Sequence, residues 1–173
     1  MLNETILKSI YREAPLARIQ LYLPHLDKTC DEFQINTPLR LAHFLAQIGH
    51  ESGQLRYVLE LASGEAYEAR LDLGNTSPGD GVRYKGRGLL QITGKHNYIL
   101  AGLHLDLPLL EIPTLLEEPV NAARVSGWFW YNKNLNKIAD SDDLLKITKK
   151  INGGTNGLKD REMLLNRAKE VLI

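Results

Sequence analysis

TPLRLAHFLAQIGHES, residues 37–52, decides the fold class. Thr37 brings a side-chain oxygen that caps a helix, and Pro38 suits the first helical position, where a missing N–H loses nothing. Leu41, Phe44, Leu45 and Ile48 then recur at the three- and four-residue spacing of one helix face, until Ser52-Gly53 ends the pattern. The same period extends outward in both directions. Ile6, Leu7, Ile10 and Tyr11 follow Asn3, a capping residue, and a second helix is predicted from Pro15 toward Leu23, stopping before Pro24. Helical patterns return at 95–103, 119–131, 142–150 and 158–172, the last carrying Leu164, Leu165, Ala168, Val171 and Leu172.

Only residues 62–88 lose the period. ASGEAYEARLDLGNTSPGDGVRYKGRG holds six glycines and a proline, and so long an irregular stretch inside a compact domain is usually functional or mobile. The chain therefore reads as one mainly α domain over residues 1–173, with a long glycine-rich insertion and neither repeat nor linker.

Composition narrows the function classes. A chain of 173 residues fits one domain that folds without staples. The lone Cys30 excludes an internal disulfide framework and a cysteine-based zinc site. Twenty-one basic against 21 acidic side chains argue against a protein living on phosphate contacts, so no nucleic-acid partner is expected. The charge is uneven: 7 basic and 11 acidic side chains in 1–80, 5 and 4 in 81–132, 9 and 6 in 133–173. The most apolar stretch, 99–116, is broken by His104, Asp106, Pro108, Glu111 and Pro113, and no integral membrane segment is expected. The N-terminus has no basic start, apolar run or cleavage site. Synthesis in the cytoplasm is the expectation, with another exit route for any work outside, and a monomer is expected.

Glu51 is the first candidate for chemistry. It lies near Phe44, Gln47 and Ile48, on the border of the apolar stripe. A carboxyl there is partly desolvated, which favours the neutral form that a general acid needs. On that reading, removing its charge leaves stability unchanged or slightly higher. The alternative is a helix-terminal glutamate paired with an arginine such as Arg40 or Arg87. A zinc-protease helix would need a second histidine four residues after His50, and position 54 is Gln. His25, His43, His96 and His104 form no ligand pair either, so no metal and no cofactor are expected.

Glu60, Glu65, Glu68 and Asp72 follow. One acid on a rigid helix and a second on the next segment can flank a glycosidic bond and a water, but spacing does not choose among the four. Gly86 and Gly88 permit close backbone approach to a ligand, and Gln91 and Thr93 alternate onto one side of an extended segment. Their amide and hydroxyl suit a sugar or a catalytic water; a tight connection with incidental polar residues is the plainer alternative. Asn152, in INGGTNG (151–157), is either part of a helix stop or an amide at a cleft wall. Trp128, Phe129, Trp130 and Tyr131 offer a sugar-stacking platform, although aromatics on a helix are more often core.

HESGQL (50–55), YKGRGLLQITGKHNY (84–98) and INGGTNG, in that order, resemble the chitinase-like family 19 glycoside hydrolases, most of all the bacteriophage endolysins among them. The loop from Leu61 to Gly88 resembles the active-site loop of those phage-type members. The similarity spans the chain and is strongest from Pro38 to Gly157. It implies a lysozyme-like, two-lobed helical fold and an inverting mechanism. Glu51 matches the general acid, Glu60 the second acid that helps activate water, and Thr93 the hydroxyl that positions that water. Gln91, Asn97, Tyr98 and Asn152 match substrate-contacting positions, and Arg161 a cleft arginine. The plant chitinases of the family carry disulfides and a second acid farther downstream, both absent here, which keeps Glu65, Glu68 and Asp72 open beside Glu60.

The implied activity is cleavage of β-1,4 bonds in the glycan strands of bacterial peptidoglycan, by an enzyme made in a host cytoplasm and released through a membrane pore. A chitinase acting on β-1,4 GlcNAc polymers and a non-catalytic carbohydrate-binding domain are the alternatives. The joint presence of Glu51, Glu60, Gln91, Thr93 and Asn152 counts against the last.

Overall fold

A computed structural model describes residues 2–173. Nine α-helices occur among them: α1 Glu4–Ile10, α2 Leu16–Glu32, α3 Pro38–Glu51, α4 Asp80–Arg83, α5 Lys95–Leu105, α6 Pro119–Asn132, α7 Leu135–Ala139, α8 Leu144–Asn152 and α9 Leu158–Leu172. Short 3₁₀ turns stand at Glu65–Tyr67, Leu71–Leu73 and Pro113–Glu117. The only strand pairing among the described residues is two isolated antiparallel bridges, Leu59 with Arg87 and Arg87 with Ile92. No described helix is long and apolar enough to cross a membrane.

The capping signals act as their chemistry dictates. Asn3 Oδ1 accepts the Ile6 N–H at 2.9 Å, and Thr37 Oγ1 accepts the Arg40 N–H at 3.3 Å with Pro38 in the first turn. Two expectations need correction. α2 does not stop before Pro24; it runs on to Glu32. Pro24 sits on the exposed side, as does Gln20, whose carbonyl the proline leaves without its helical donor, while Ile19, Tyr22, Leu26 and Cys30 continue one buried row through the helix. Burying such side chains, at roughly 1.5–3 kcal/mol each, outweighs the ~3 kcal/mol helix penalty of one proline.

α3, likewise, buries more than the one apolar stripe its spacing shows. Every residue from Ala42 to Gly49 is buried, His43 and Gln47 included. α9 lies along it, α1 packs on α9, and α7 touches α3. A second group of helices gathers round α6, which receives α2, α5 and the 113–117 turn. The groups join where the Phe44 ring of α3 meets Trp130 of α6 edge-on, centroids 5.3 Å apart. Trp128 and Trp130 are buried, and Trp130 Nε1 donates to Asn136 Oδ1 at 2.8 Å. These tryptophans are core, not a sugar platform; of the four aromatics only Tyr131 is well exposed.

Candidate active site

The first half of the site forms where α3 ends. Ser52 Oγ donates to the Ile48 carbonyl at 2.7 Å and accepts the Leu55 N–H at 2.8 Å, closing the helix. Gly53, Gln54 and Leu55 follow with φ of 57°, 56° and 69°, a run of left-handed residues that turns the chain away abruptly. Glu51 is thereby left at the rim with its side chain 25% exposed.

Glu51 is not a lone acid in an apolar niche. Arg161, entering from the first turns of α9 and fully buried, donates from Nη2 to Glu51 Oε1 at 2.5 Å. Its other donors go to Gln47 Oε1, one helical turn before Glu51, and to the Asn156 carbonyl at 3.2 Å. Next to it His50 Nδ1 and Asp160 Oδ2 lie 2.6 Å apart. Of the two sequence readings for Glu51, the arginine pairing is therefore present, though with neither suggested partner: Arg40 is bound to Asp140 and Arg87 to Glu117. The stability expectation also changes sign, because an uncharged residue at 51 would leave a buried guanidinium without its carboxylate.

The second half is a row across three extended segments. The bridges pair Leu59 with Arg87 and Arg87 with Ile92, a register that aligns Glu60, Gly86 and Thr93. Glu60 N–H donates to the Gly86 carbonyl at 2.9 Å, and Gly86 N–H returns to Glu60 Oε2 at 3.0 Å. The other oxygen, Oε1, accepts from the Tyr67 hydroxyl at 2.7 Å. Burial and the adjacent Glu60 carboxylate push the Tyr67 phenol up, so at neutral pH it remains a donor. Gln91 closes on the same spot: a Cβ built on Gly86 would stand 2.7 Å from Gln91 Oε1 and 3.1 Å from Glu60 Oε2. Gly88, by contrast, approaches the core at Val125 rather than any ligand surface.

The structure separates the four loop acids that spacing leaves equal. Asp72 is tied to Arg70. Glu68 accepts backbone N–H groups of Gly79 and Val82 at the start of α4. Glu65 is exposed. Only Glu60 faces Gln91 and the Thr93 segment. The glycine-rich insertion holding them is tightly pinned: Asn75 donates to the Tyr67 carbonyl and accepts from Lys95 N–H, and buried Asp80 gathers the Thr76 and Ser77 N–H groups and Lys95 Nζ.

The remaining expected contacts divide. Asn152 is exposed at the last position of α8, opening the turn whose Asn156 carbonyl shares the Arg161 guanidinium with Glu51. Asn97 is half-buried and donates to the Thr93 carbonyl at 2.7 Å, bracing that segment. Tyr98 and Arg161 are corrected: both are fully buried and neither presents a surface to a substrate. Tyr98 hydroxyl donates to the Lys85 carbonyl at 2.6 Å and lies 3.1 Å from Arg87 Nη1, so it holds the 85–87 segment from behind. Arg161 holds Glu51. Sequence reasoning missed Tyr67 and Gln47. The only available signals were an aromatic in an otherwise polar loop and an amide one turn before the acid.

These two clusters can be set beside known proteins. No family model matches the chain. A glycosyl hydrolase family 19 domain-containing protein of Haemophilus influenzae is 32% identical, the match covering 71% of this chain and 75% of that protein. An endochitinase of Arabidopsis thaliana is 40% identical over 66% of this chain but 39% of its own length, so the chain spans about two fifths of that relative. The solved structure of a bacterial family 19 chitinase superimposes with a TM-score of 0.81 at 21% identity, over 98% of this chain and 94% of that one, a likeness of fold.

Proposed function

The chain belongs to glycosyl hydrolase family 19, and from that premise we propose that it hydrolyses β-1,4 glycosidic bonds of bacterial peptidoglycan with inversion. One observation carries the mechanism: two carboxylates, each oriented by dedicated donors, stand on separate elements beside half-buried or exposed polar side chains. In this proposal Glu51, its Oε1 steadied by Arg161, presents the carboxyl that protonates the leaving oxygen. Glu60, oriented by Tyr67 and the Gly86 N–H, takes the proton of a water attacking from the opposite face. Each carboxylate oxygen can accept more than one hydrogen bond, so those donors leave room for the water. Thr93, aligned with Glu60, positions that water, and Gln91 and Asn152 supply amides to the sugars. Direct displacement asks for a water-sized gap of roughly 6.5–9.5 Å between the carboxyl groups.

Chitin is the second reading, favoured by the endochitinase among the relatives. It uses the same residues on a neutral polymer. The test is incubation with purified peptidoglycan and with chitin, scoring new reducing ends, new free amino groups and the anomer of the first product. Reducing ends from peptidoglycan, no new amines and an inverted anomer are expected. Cleavage of chitin alone would move the assignment to chitinase, and free amines without reducing sugar would remove the glycosidase mechanism. A carbohydrate-binding domain would yield neither product.

A further inference from the structure

The stretch 133–150 carries five lysines, Lys133, Lys137, Lys146, Lys149 and Lys150, all exposed. Its three acids are engaged elsewhere. Asp140 binds Arg40, Asp142 binds His43 and Lys169, and Asp143 caps α8 by accepting the Lys146 N–H. Among the described residues none of the five lysines pairs with a carboxylate. Four of them, Lys133, Lys137, Lys146 and Lys150, line one concavity of about 370 Å³ with Asn134 and Ser141, and no acid lines it.

Lysines elsewhere in the chain are scattered singly, and only Lys95 and Lys169 form ion pairs among the described residues. Here the α7–α8 corner concentrates unpaired ammonium groups round a hollow with polar neighbours. The hollow and the candidate site use different sides of α8. Lys149 lies one turn before Asn152 on the same side of α8, and the turn after Asn152 shares the Arg161 guanidinium with Glu51. At 1.5 Å per residue, Lys146 stands about 9 Å along the axis from Asn152 and, like Lys150, on another side of the helix, so of the five lysines on this stretch only Lys149, outside the hollow, shares the side of Asn152.

We infer that this lysine-lined hollow is a docking surface for the carboxylates of peptidoglycan stem peptides, holding the wall polymer against the α7–α8 corner. The inference rests on the glycosidase reading above and adds to it the recognition of an anionic wall. A neutral chitin chain offers these lysines hydrogen-bond acceptors but no counter-charge. Peptidoglycan displays several carboxylates on every peptide-bearing sugar, and an ammonium recognises such a carboxylate as a point charge without demanding one geometry.

The test compares wild type with the fourfold variant Lys133→Gln, Lys137→Gln, Lys146→Gln, Lys150→Gln and with the same four positions changed to Arg. Co-sedimentation is measured on insoluble peptidoglycan, on peptidoglycan whose carboxylates have been amidated, and on phosphatidylglycerol vesicles, at low and high salt. Release of reducing ends from glycan strands stripped of their peptides reads the glycosidase separately. Wild type and the Arg variant should bind peptidoglycan alike. The Gln variant and the amidated wall should each lower binding about tenfold at low salt, with the difference shrinking as salt screens it. Cleavage of stripped strands should be equal in all three proteins. Undiminished binding by a folded Gln variant, unchanged binding to the amidated wall, or lysine-dependent binding to vesicles but not to wall would each overturn the surface. A lysine- and carboxylate-dependent binder that cleaves no strand keeps the surface and removes the glycosidase reading.

Discussion

Gly86 and Gly88 sit two residues apart in one GRG motif, and the geometry gives them opposite roles. Alanine at 86 places a Cβ 2.7 Å from Gln91 Oε1 and 3.1 Å from Glu60 Oε2, against ordinary contacts of 3.4–4 Å. Both obstructing atoms are the ends of half-exposed side chains, so they withdraw by several tenths of an ångström while the backbone stays put. Gly86 is not among the glycines with positive φ, so alanine also restricts the unfolded chain, a gain of about 0.4–1 kcal/mol. That offsets weakening of the Gly86–Glu60 hydrogen bond, worth about 0.5–1.5 kcal/mol. Stability should move by less than about 1 kcal/mol, or roughly 2–4 °C in Tm for a chain of this size. Activity should not be spared. A displaced general base and amide are misaligned with the attacking water, and a misplacement approaching 1 Å can lower rate ~10²-fold, so kcat should fall roughly tenfold to a hundredfold.

Gly88→Ala makes the opposite case. Its φ is +102° and its Cβ would meet Val125 Cγ1 at 2.6 Å in the core, so backbone strain of about 1–3 kcal/mol adds to overpacking of similar size. Thermal melts and initial rates of reducing-end release on peptidoglycan, run on both variants, separate the two. Wild-type kcat in Gly86→Ala would refute the convergence of Glu60 and Gln91 as functional. A collapse of its Tm as deep as that of Gly88→Ala would show that the row is merely structural.

Glu51→Gln should lower kcat by about 10²–10⁴ and lose roughly 1–3 kcal/mol because Arg161 stays buried without its counter-charge; an unchanged or raised midpoint in a denaturant melt counts against that pairing. Tyr67→Phe should cost kcat about tenfold, and combined with Glu60→Gln should add little to Glu60→Gln alone, since both act on one carboxylate; full additivity in the double-mutant cycle would place Tyr67 outside the base's support. Glu65→Gln should stay within a few-fold of wild type in the same assay. Burial holds the His43 imidazole below the ordinary histidine range despite the Asp142 carboxylate beside it. The unfolded chain then binds that proton first, so stability should fall as pH drops below about 6.5 toward the folded value and level off above it. Tm between pH 5 and 8 should be flatter in His43→Gln, and an equal slope in both proteins refutes the assignment.

What could be read from the sequence follows the range of the forces involved. α3 was legible from its first residues, because the Thr37 cap, the proline beside it and the apolar spacing are all local. α9 was legible to its last turn for the same reason. α2 was misjudged at Pro24, where the local penalty is plain but the buried row that overrides it emerges only in the packed core. α7, the five residues Leu135–Ala139 entered from a left-handed Asn134, is too short to show a period. The acids were harder. Glu60 differs from Glu65, Glu68 and Asp72 only through a register that pairs residue 59 with 87 and 87 with 92, and nothing in the local pattern specifies that pairing.

Arg161 marks the limit most sharply. In the sequence it is one cation in a charged stretch near the C-terminus, and its resemblance to a cleft arginine suggested a hand held out to substrate. In the structure it lies beneath Glu51, 110 positions away along the chain, with its donors spent on Glu51, Gln47 and the Asn156 carbonyl. A charge so deeply enclosed persists only because its partners satisfy it, so the same contacts that fix the carboxyl also bind α3 to α9. Position and stability are then one property at this site. That is why no substitution at residue 51 can test the acid without also loosening the joint that holds it. A second probe lies one turn back: Gln47→Glu keeps the shape but sets a fully buried second carboxylate against Arg161, so it should cost stability through that added charge and slow catalysis by drawing the guanidinium off Glu51. Unaltered kcat in that variant would mean that Arg161 serves the fold alone.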